Sequence, residues 1–188
     1  MNSAMLSFGN LVSIIAAAAA KGTGFEKLVM GLTFPLGLMM ILLSEMDLFT
    51  GNVFYMTFGV LDRRVSIKHL VVTWTMSYFS NFAGSLFVGS FLVFLPRLLD
   101  PVALDYLISL VTKKCSYQYH ESLIRGVGCN WLVCTAIFQA YMAKDVPGKA
   151  IGAYLPIFAF IMIGFEHCVA NMFSLPLGLM YGAPVSVG

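Results

Sequence analysis

The stretch from residue 150 to residue 182 constrains this chain more than any other feature. It is almost wholly apolar, and Glu166 and His167 are its only Asp, Glu, Lys, Arg or His residues. Ionisable groups at membrane depth are costly, and they commonly mark substrate or ion pathways. The pair lies between Pro156 and Pro176, where prolines make a continuous helix hard to maintain. Because transporters build substrate sites from interrupted helices, we expect a membrane transport protein.

The composition agrees with a chain that lies in a membrane. Of its 188 residues, 59% are hydrophobic and 11% charged, whereas soluble domains carry about 25% charged residues. The net charge of +2 is too small to indicate nucleic-acid binding. Residues 1–188 are therefore predicted to form one all-α, multi-pass domain in a plasma or inner membrane, in contact with lipid.

The cysteines and histidines give no sign of a metal site. The four cysteines lack paired spacing among themselves or with the three histidines, so we expect them to act as small apolar packing residues. His69 and His120 stand near predicted membrane ends among charged neighbours and are expected to be solvated. No metal and no cofactor are predicted.

Apolar runs of sufficient length predict five membrane crossings. The second and fifth are interrupted by polar residues, so each is expected to consist of two half-helices. The predicted spans are 1–20, 28–44 with 53–61, 70–96, 118–143, and 150–166 with 172–182. This order is the outline of an inverted repeat whose final helix is absent. Basic residues in the short loops after the second and fourth spans favour a cytoplasmic location for those loops.

The first break, residues 44–52, is unusually polar for its surroundings. Non-helical backbone survives at that depth only when it is buried in protein or lines a polar cavity. Gly51 supplies conformational freedom and Thr50 a hydroxyl group. Glu45 and Asp47 are expected to cap the neighbouring half-helix or to pair with a cation. The alternative is a re-entrant loop whose polar groups are satisfied and touch no substrate.

The second break contains His167. An unperturbed histidine has a pKa of about 6.5, so this side chain can exchange a proton near neutral pH. The alternative is a hydrogen-bonded structural histidine, but a position within a broken membrane helix favours a role in the pathway. Glu166 is adjacent to His167 and therefore points to a different side of the helix. We expect it to hold a neighbouring loop in place.

Three segments resemble the motifs of the formate/nitrite transporter family. They are Asp47-Leu48-Phe49-Thr50-Gly51-Asn52, the stretch Gly126–Cys134, and the stretch Gly164–Pro176 with its central Glu-His-x-x-Ala-Asn. The resemblance implies a homopentamer of aquaporin-like protomers with one pore in each subunit. It also implies proton-linked passage of small monovalent anions, namely formate, nitrite, hydrosulfide, acetate or lactate.

The resemblance also assigns roles to single positions. His167 corresponds to the central pore histidine, Thr50 to the threonine that faces it, and Asn130 to the asparagine of the second motif. Lys114 corresponds to a vestibule lysine that attracts anions, with Lys113 as the alternative register. The pore-narrowing positions are Phe34 and Phe160 at the outer constriction, with Leu38 and Leu48 as further ones. Structural roles at the broken helices fall to Glu166, Asn171, Asp47, Gly51 and Asn52.

The chain departs from the family pattern in two respects. Glu45 and Met46 replace the small residues that usually precede the first motif. This chain is also shorter than family members, because it begins inside the first helix and ends before a sixth span. Two hypotheses follow: a proton-linked anion channel or transporter, and a truncated, non-transporting subunit that assembles with full-length partners.

Other functions are weaker hypotheses. No second histidine or carboxylate lies at the same apolar depth as Glu166 and His167, so no enzyme activity is predicted. An aquaporin is disfavoured because neither break contains Asn-Pro-Ala.

Overall fold

The computed structural model describes residues 2–185, and within that range the chain is helical without strands. The helices are α1 (Asn2–Ala19), α2 (Glu26–Thr33), α3 (Pro35–Leu43), α4 (Phe49–Leu61), α5 (Ile67–Phe87), α6 (Pro101–Cys115), α7 (Tyr119–Met142), α8 (Val146–Ile163) and α9 (Cys168–Met180). A π-helical segment, Val88–Phe94, continues α5.

Several of these helices are long and apolar enough to cross a membrane. They are Glu26–Leu43, Ile67–Phe94, Tyr119–Met142 and Val146–Ile163, while Ser3–Ala19 and Cys168–Met180 are shorter apolar helices. Large apolar side chains such as Phe79, Trp131 and Ile151 are exposed on the outside of the bundle, as expected of side chains that face lipid. The predicted all-α membrane fold is confirmed.

Both predicted breaks are present. The first lies between Leu43 and Phe49, and the second between Ile163 and Cys168. The prolines do not make the second break, contrary to the sequence-based expectation, because Pro156 and Pro176 lie inside α8 and α9. Proline is tolerated inside membrane helices, where neighbouring groups can satisfy the freed carbonyl. The break falls instead at Gly164, whose φ of +91° ends α8 in the left-handed region.

The two halves of the chain repeat one arrangement. In the first half α1 packs on α2 and α3, and the break leads into α4; in the second half α7 packs on α8, and the break leads into α9. The α5 helix then packs on α1, α4 and α9. In the part of the chain that the structure describes, the second half has no counterpart of α5.

The apolar core surrounds the breaks. One buried cluster joins Phe34, Leu38, Leu48 and Phe160 to residues of α7 and α9. A second cluster holds α6 against α1, α9 and the π-helical segment. The breaks therefore place polar backbone and side chains within an otherwise apolar interior.

Candidate functional site

His167 is fixed at the start of α9 by a hydrogen bond within its own turn. It is the N-cap residue, with extended backbone, and its Nδ1 accepts from the Ala170 backbone N–H at 3.1 Å. Only 5% of the residue is exposed. Because Nδ1 accepts, the proton of the neutral imidazole resides on Nε2, which is then a hydrogen-bond donor.

Glu166 and Lys114 form an ion pair beside this histidine. Lys114 Nζ lies 2.5 Å from Glu166 Oε2, and the two side chains are 15% and 12% exposed. Asn171 Nδ2 donates to the same carboxylate oxygen at 3.0 Å. The pair joins the end of α6 to the second break, so the partner of Glu166 lies in a helix and not in the loop that was expected.

The first break is held by side chains of α5. The N-cap residue of α4, Leu48, makes no side-chain capping bond; instead the Phe49 backbone N–H donates to Asn81 Oδ1 at 3.3 Å. Asn52 Nδ2 donates to Ser77 Oγ at 3.0 Å, and Trp74 Nε1 donates to the Asn52 carbonyl at 3.3 Å. The side chains that anchor this turn thus come from α5.

A cavity of about 510 Å³, called here the central cavity, lies between α4, α7 and α9. It brings together candidate residues from distant parts of the sequence, namely Thr50, Lys114, Asn130, Glu166, His167 and Asn171. Among the described residues, three buried atoms of this lining have no hydrogen-bond partner: Thr50 Oγ1, Asn130 Oδ1 and Asn171 Oδ1. Unsatisfied buried polar atoms are uncommon, and the three residues that carry them all line this cavity.

A closed apolar contact lies next to the histidine. The rings of Phe34 and Phe160 meet edge to face with centroids 5.7 Å apart, and both residues are buried. The His167 ring stacks on Phe160 with centroids 5.8 Å apart and an interplanar angle of 21°. All three line a small cavity of about 20 Å³, so His167 borders both this cavity and the larger one.

The remaining pore-narrowing candidates lie at the first break. Leu38 and Leu48 are buried and line a cavity of about 70 Å³ together with Asp47 and Gly51. Leu38 also belongs to the same apolar cluster as Phe34 and Phe160. The structure therefore distributes the candidate residues over three neighbouring cavities, with apolar side chains between them.

Comparison with known proteins assigns the chain to a family. The family model described as formate/nitrite transporter matches residues 1–188. The chain belongs to the formate/nitrite transporter family. A probable formate transporter of Methanothermobacter thermautotrophicus is 39% identical over 198 residues, covering 95% of this chain and 72% of that protein. A formate channel of Bacillus thuringiensis is 31% identical, covering 97% of this chain and 71% of that protein.

Solved structures of this family share the fold. A structure described as an FNT family ion channel has a TM-score of 0.90 at 27% identity and covers 100% of this chain and 74% of its own. A pentameric formate channel with formate bound has a TM-score of 0.85 at 26% identity and covers 97% and 74%. Membership in the formate/nitrite transporter family makes this chain a multi-pass membrane protein of an anion-transport class. The relatives are described as transporters or channels, which gives the enzyme and non-transporting-subunit hypotheses no support.

Several residues that the sequence did not single out form hydrogen bonds that hold the two broken segments in place. Asn10 Nδ2 donates to the Ala170 carbonyl at 3.1 Å, from α1 to the first turn of α9. Arg125 Nη1 donates to the Gly164 carbonyl at 3.0 Å. Asn81 Oδ1 accepts from the Phe49 backbone N–H and so holds the first break from α5. A polar residue within an apolar helix was the signal available for the two asparagines; their partners lie too far along the chain to be predicted.

Proposed function

We propose that this chain forms a pore for small monovalent weak-acid anions, with formate as the first candidate substrate, and that passage is linked to protons. Formate is the substrate named for the matched channels of Bacillus thuringiensis and of the solved pentamer. The same solved structure, described as pentameric, supports a homopentamer, and we propose one pore in each subunit. Nitrite, hydrosulfide, acetate and lactate are the alternative substrates.

The position of His167 carries the proposal. This residue borders both the central cavity and the small cavity closed by Phe34 and Phe160. Its Nδ1 is engaged by Ala170, so Nε2–H is the ring donor left for a permeating molecule. An anion in the central cavity thus meets a titratable group immediately before the apolar contact.

The apolar contact gives the reason for proton linkage. A bare carboxylate that leaves water without compensating bonds meets a large desolvation penalty, whereas its neutral acid meets a far smaller one. The Phe34 and Phe160 rings touch, so a permeant must part them in a dry environment. Protonation beside His167 converts formate into formic acid before this step, and the proton moves with it.

The other lining residues suit a molecule that both accepts and donates hydrogen bonds. The Thr50 hydroxyl can donate to a carboxylate oxygen, and Asn130 Oδ1 can accept from the hydroxyl of the neutral acid. Leu38 and Leu48 narrow the path at the first break. Supporting roles are assigned to Asp47, Gly51 and Asn52 at the first break, and to Lys114, Glu166 and Asn171 at the second.

Formate uptake by proteoliposomes tests the proposal. The purified chain is reconstituted, its oligomer mass is measured by native mass spectrometry, and uptake of radiolabelled formate is followed beside protein-free liposomes. We expect a pentamer whose formate uptake exceeds the protein-free rate and is reduced by unlabelled nitrite or lactate in excess. A correctly assembled oligomer with uptake equal to that of protein-free liposomes contradicts the proposal.

A further inference from the structure

We propose that Arg125 and Lys27 supply the net positive charge that draws anions to the pore at the Gly164 turn. The inference rests on the proposed function and names residues that none of the sequence motifs marks for this role. It assigns recruitment to two side chains that converge on one backbone turn from α7 and α2.

Lys114 is a weak attractor in this structure because its charge is already balanced. The ammonium lies 2.5 Å from the Glu166 carboxylate, and both side chains are largely buried. The carboxylate receives a further hydrogen bond from Asn171. An approaching anion therefore meets a dipole of zero net charge, whose attraction falls off faster with distance than that of a single charge.

Arg125 makes contacts that leave its charge intact. Its Nη1 donates to the Gly164 carbonyl at 3.0 Å, and its Cζ lies 4.0 Å from the centre of the Tyr117 ring. A neutral carbonyl and an aromatic face hold a guanidinium in place without cancelling its charge. Within residues 2–185 Arg125 takes part in no ion pair.

Lys27 approaches the same turn from α2. A Cβ atom built on Gly164 would lie 3.4 Å from Lys27 Nζ, the nearest heavy atom to that position outside the neighbouring residues. The described part of the chain contains no ion pair of Lys27. The adjacent Glu26 carboxylate accepts a hydrogen bond from the Gly22 backbone N–H at 2.7 Å, in the loop after α1.

The Gly164 turn stands beside both cavities that contain His167. Tyr117, whose ring stacks with the Arg125 guanidinium, lines the central cavity. Gly126, the residue after Arg125, lines it as well. Phe165, which follows Gly164, lines the small cavity of Phe34 and Phe160. Arg125 and Lys27 bring two positive charges to this turn against the single negative charge of Glu26. The positive excess raises the local concentration of anions, because low-dielectric walls focus the field within a cleft.

Charge-removing variants test the inference by the concentration dependence of formate uptake. Arg125→Gln keeps an amide donor for the Gly164 carbonyl but removes the charge, and Arg125→Lys restores the charge. Lys27→Gln is examined alone and together with Arg125→Gln. Lys68→Gln is the matched control, because it removes one exposed lysine charge in the first turn of α5. Each variant is assayed at low and high concentrations of an impermeant salt.

For Arg125→Gln we expect the half-saturating formate concentration to rise by about two- to tenfold, as for one unit charge at roughly 10 Å. The maximal uptake rate of Arg125→Gln should stay near that of the wild type, as should the half-saturating concentrations of Arg125→Lys and Lys68→Gln. The double variant should have the highest half-saturating concentration, and that concentration should depend least on salt. Wild-type uptake combined with an unchanged half-saturating concentration in Arg125→Gln overturns this inference alone. A lower maximal rate that Arg125→Lys fails to rescue also overturns it, since that pattern indicates a structural role. Absence of uptake by the wild type overturns both this inference and the proposed function.

Discussion

Thr50 shows how a single hydroxyl can report on the central cavity. The residue is buried, with 3% of its surface exposed, and its Oγ1 has no hydrogen-bond partner among the described residues. It lines the cavity that also contains His167. A buried hydroxyl without a partner is costly, and in the proposed function that hydroxyl forms a hydrogen bond with the permeating molecule.

Replacing Thr50 by valine tests that interaction. Valine keeps the shape of the side chain but cannot donate to a carboxylate, and a hydrogen bond to a charged group contributes about 1.5–3 kcal/mol. We expect Thr50→Val to lower the initial rate of formate uptake by about tenfold or more, while Thr50→Ser retains most of it. Wild-type uptake by the valine variant would show that this hydroxyl does not contact the substrate.

Lys114 and Glu166 allow a prediction about stability at the same scale. Removing one partner of a buried pair leaves the other charge uncompensated and costs about 3–5 kcal/mol. We therefore expect Lys114→Met to lower the thermal unfolding temperature of the detergent-solubilised oligomer, and Lys114→Met combined with Glu166→Gln to recover part of the loss. The control is Lys21→Met, which breaks an ion pair with Asp105 whose side chains are 43% and 69% exposed. Exposed pairs contribute only about 0–1 kcal/mol, so Lys21→Met should change the unfolding temperature little. An equal fall in unfolding temperature for Lys114→Met and Lys21→Met would contradict a stabilising role for the buried pair.

At the scale of helices, α1 and α3 approach through glycine. A Cβ atom built on Gly9 would lie 2.5 Å from the Gly37 Cα, which is backbone and cannot move aside as a side chain can. Small residues at such crossings let membrane helices pack closely. The α3 helix carries Leu38 next to Gly37, so this crossing also positions the path near the first break.

Gly9→Ala should therefore lower the thermal unfolding temperature of the oligomer, although alanine is the better helix former by about 1 kcal/mol. Gly89→Ala is the matched control, because a Cβ there would meet its nearest neighbour, in the Phe173 ring, at an ordinary 3.7 Å. We expect that control to be neutral in the same thermal assay. A Gly9→Ala variant as stable as the wild type would contradict the close crossing.

Sequence reasoning reached the two broken helices because their signals are local. A glycine and polar residues within an apolar run mark the first break, and Glu166 and His167 mark the second. The second break was attributed to the flanking prolines and not to Gly164, since a positive φ has no signature beyond the glycine itself. The π-helical segment from Val88 to Phe94 likewise has no local pattern that distinguishes it from α-helix.

The contacts that hold the breaks were beyond sequence reasoning for a different reason. Asn10 and Ala170 are 160 residues apart, Lys114 and Glu166 are 52 apart, and Arg125 and Gly164 are 39 apart. Such pairs depend on how complete helices cross, which is set by packing across the whole bundle. The family motifs marked His167, Thr50 and Asn130 as candidates for the pathway. That these residues line one cavity is seen only in the folded structure.

At the scale of the whole molecule, the two broken helices converge so that polar groups lie within an apolar bundle. The N-terminal turns of α4 and α9 bring Thr50 and His167 to the same cavity, and the rings of Phe34 and Phe160 meet beside it. Such an arrangement favours a small acid that is charged where water is present and neutral where it is not. Proton linkage and the dependence of transport on His167 are the central claims of the proposed function.

Simultaneous measurement of formate and proton movement tests these claims most directly. Wild-type and His167→Phe proteins are reconstituted with a pH-sensitive dye inside the liposomes, and an inward formate gradient is imposed at several external pH values. We predict that the wild type carries formate and acidifies the interior together, and faster as the external pH falls. His167→Phe should assemble normally and show neither movement above the protein-free rate. Formate entry without protein-dependent acidification, or wild-type rates in His167→Phe, would contradict the proposed mechanism.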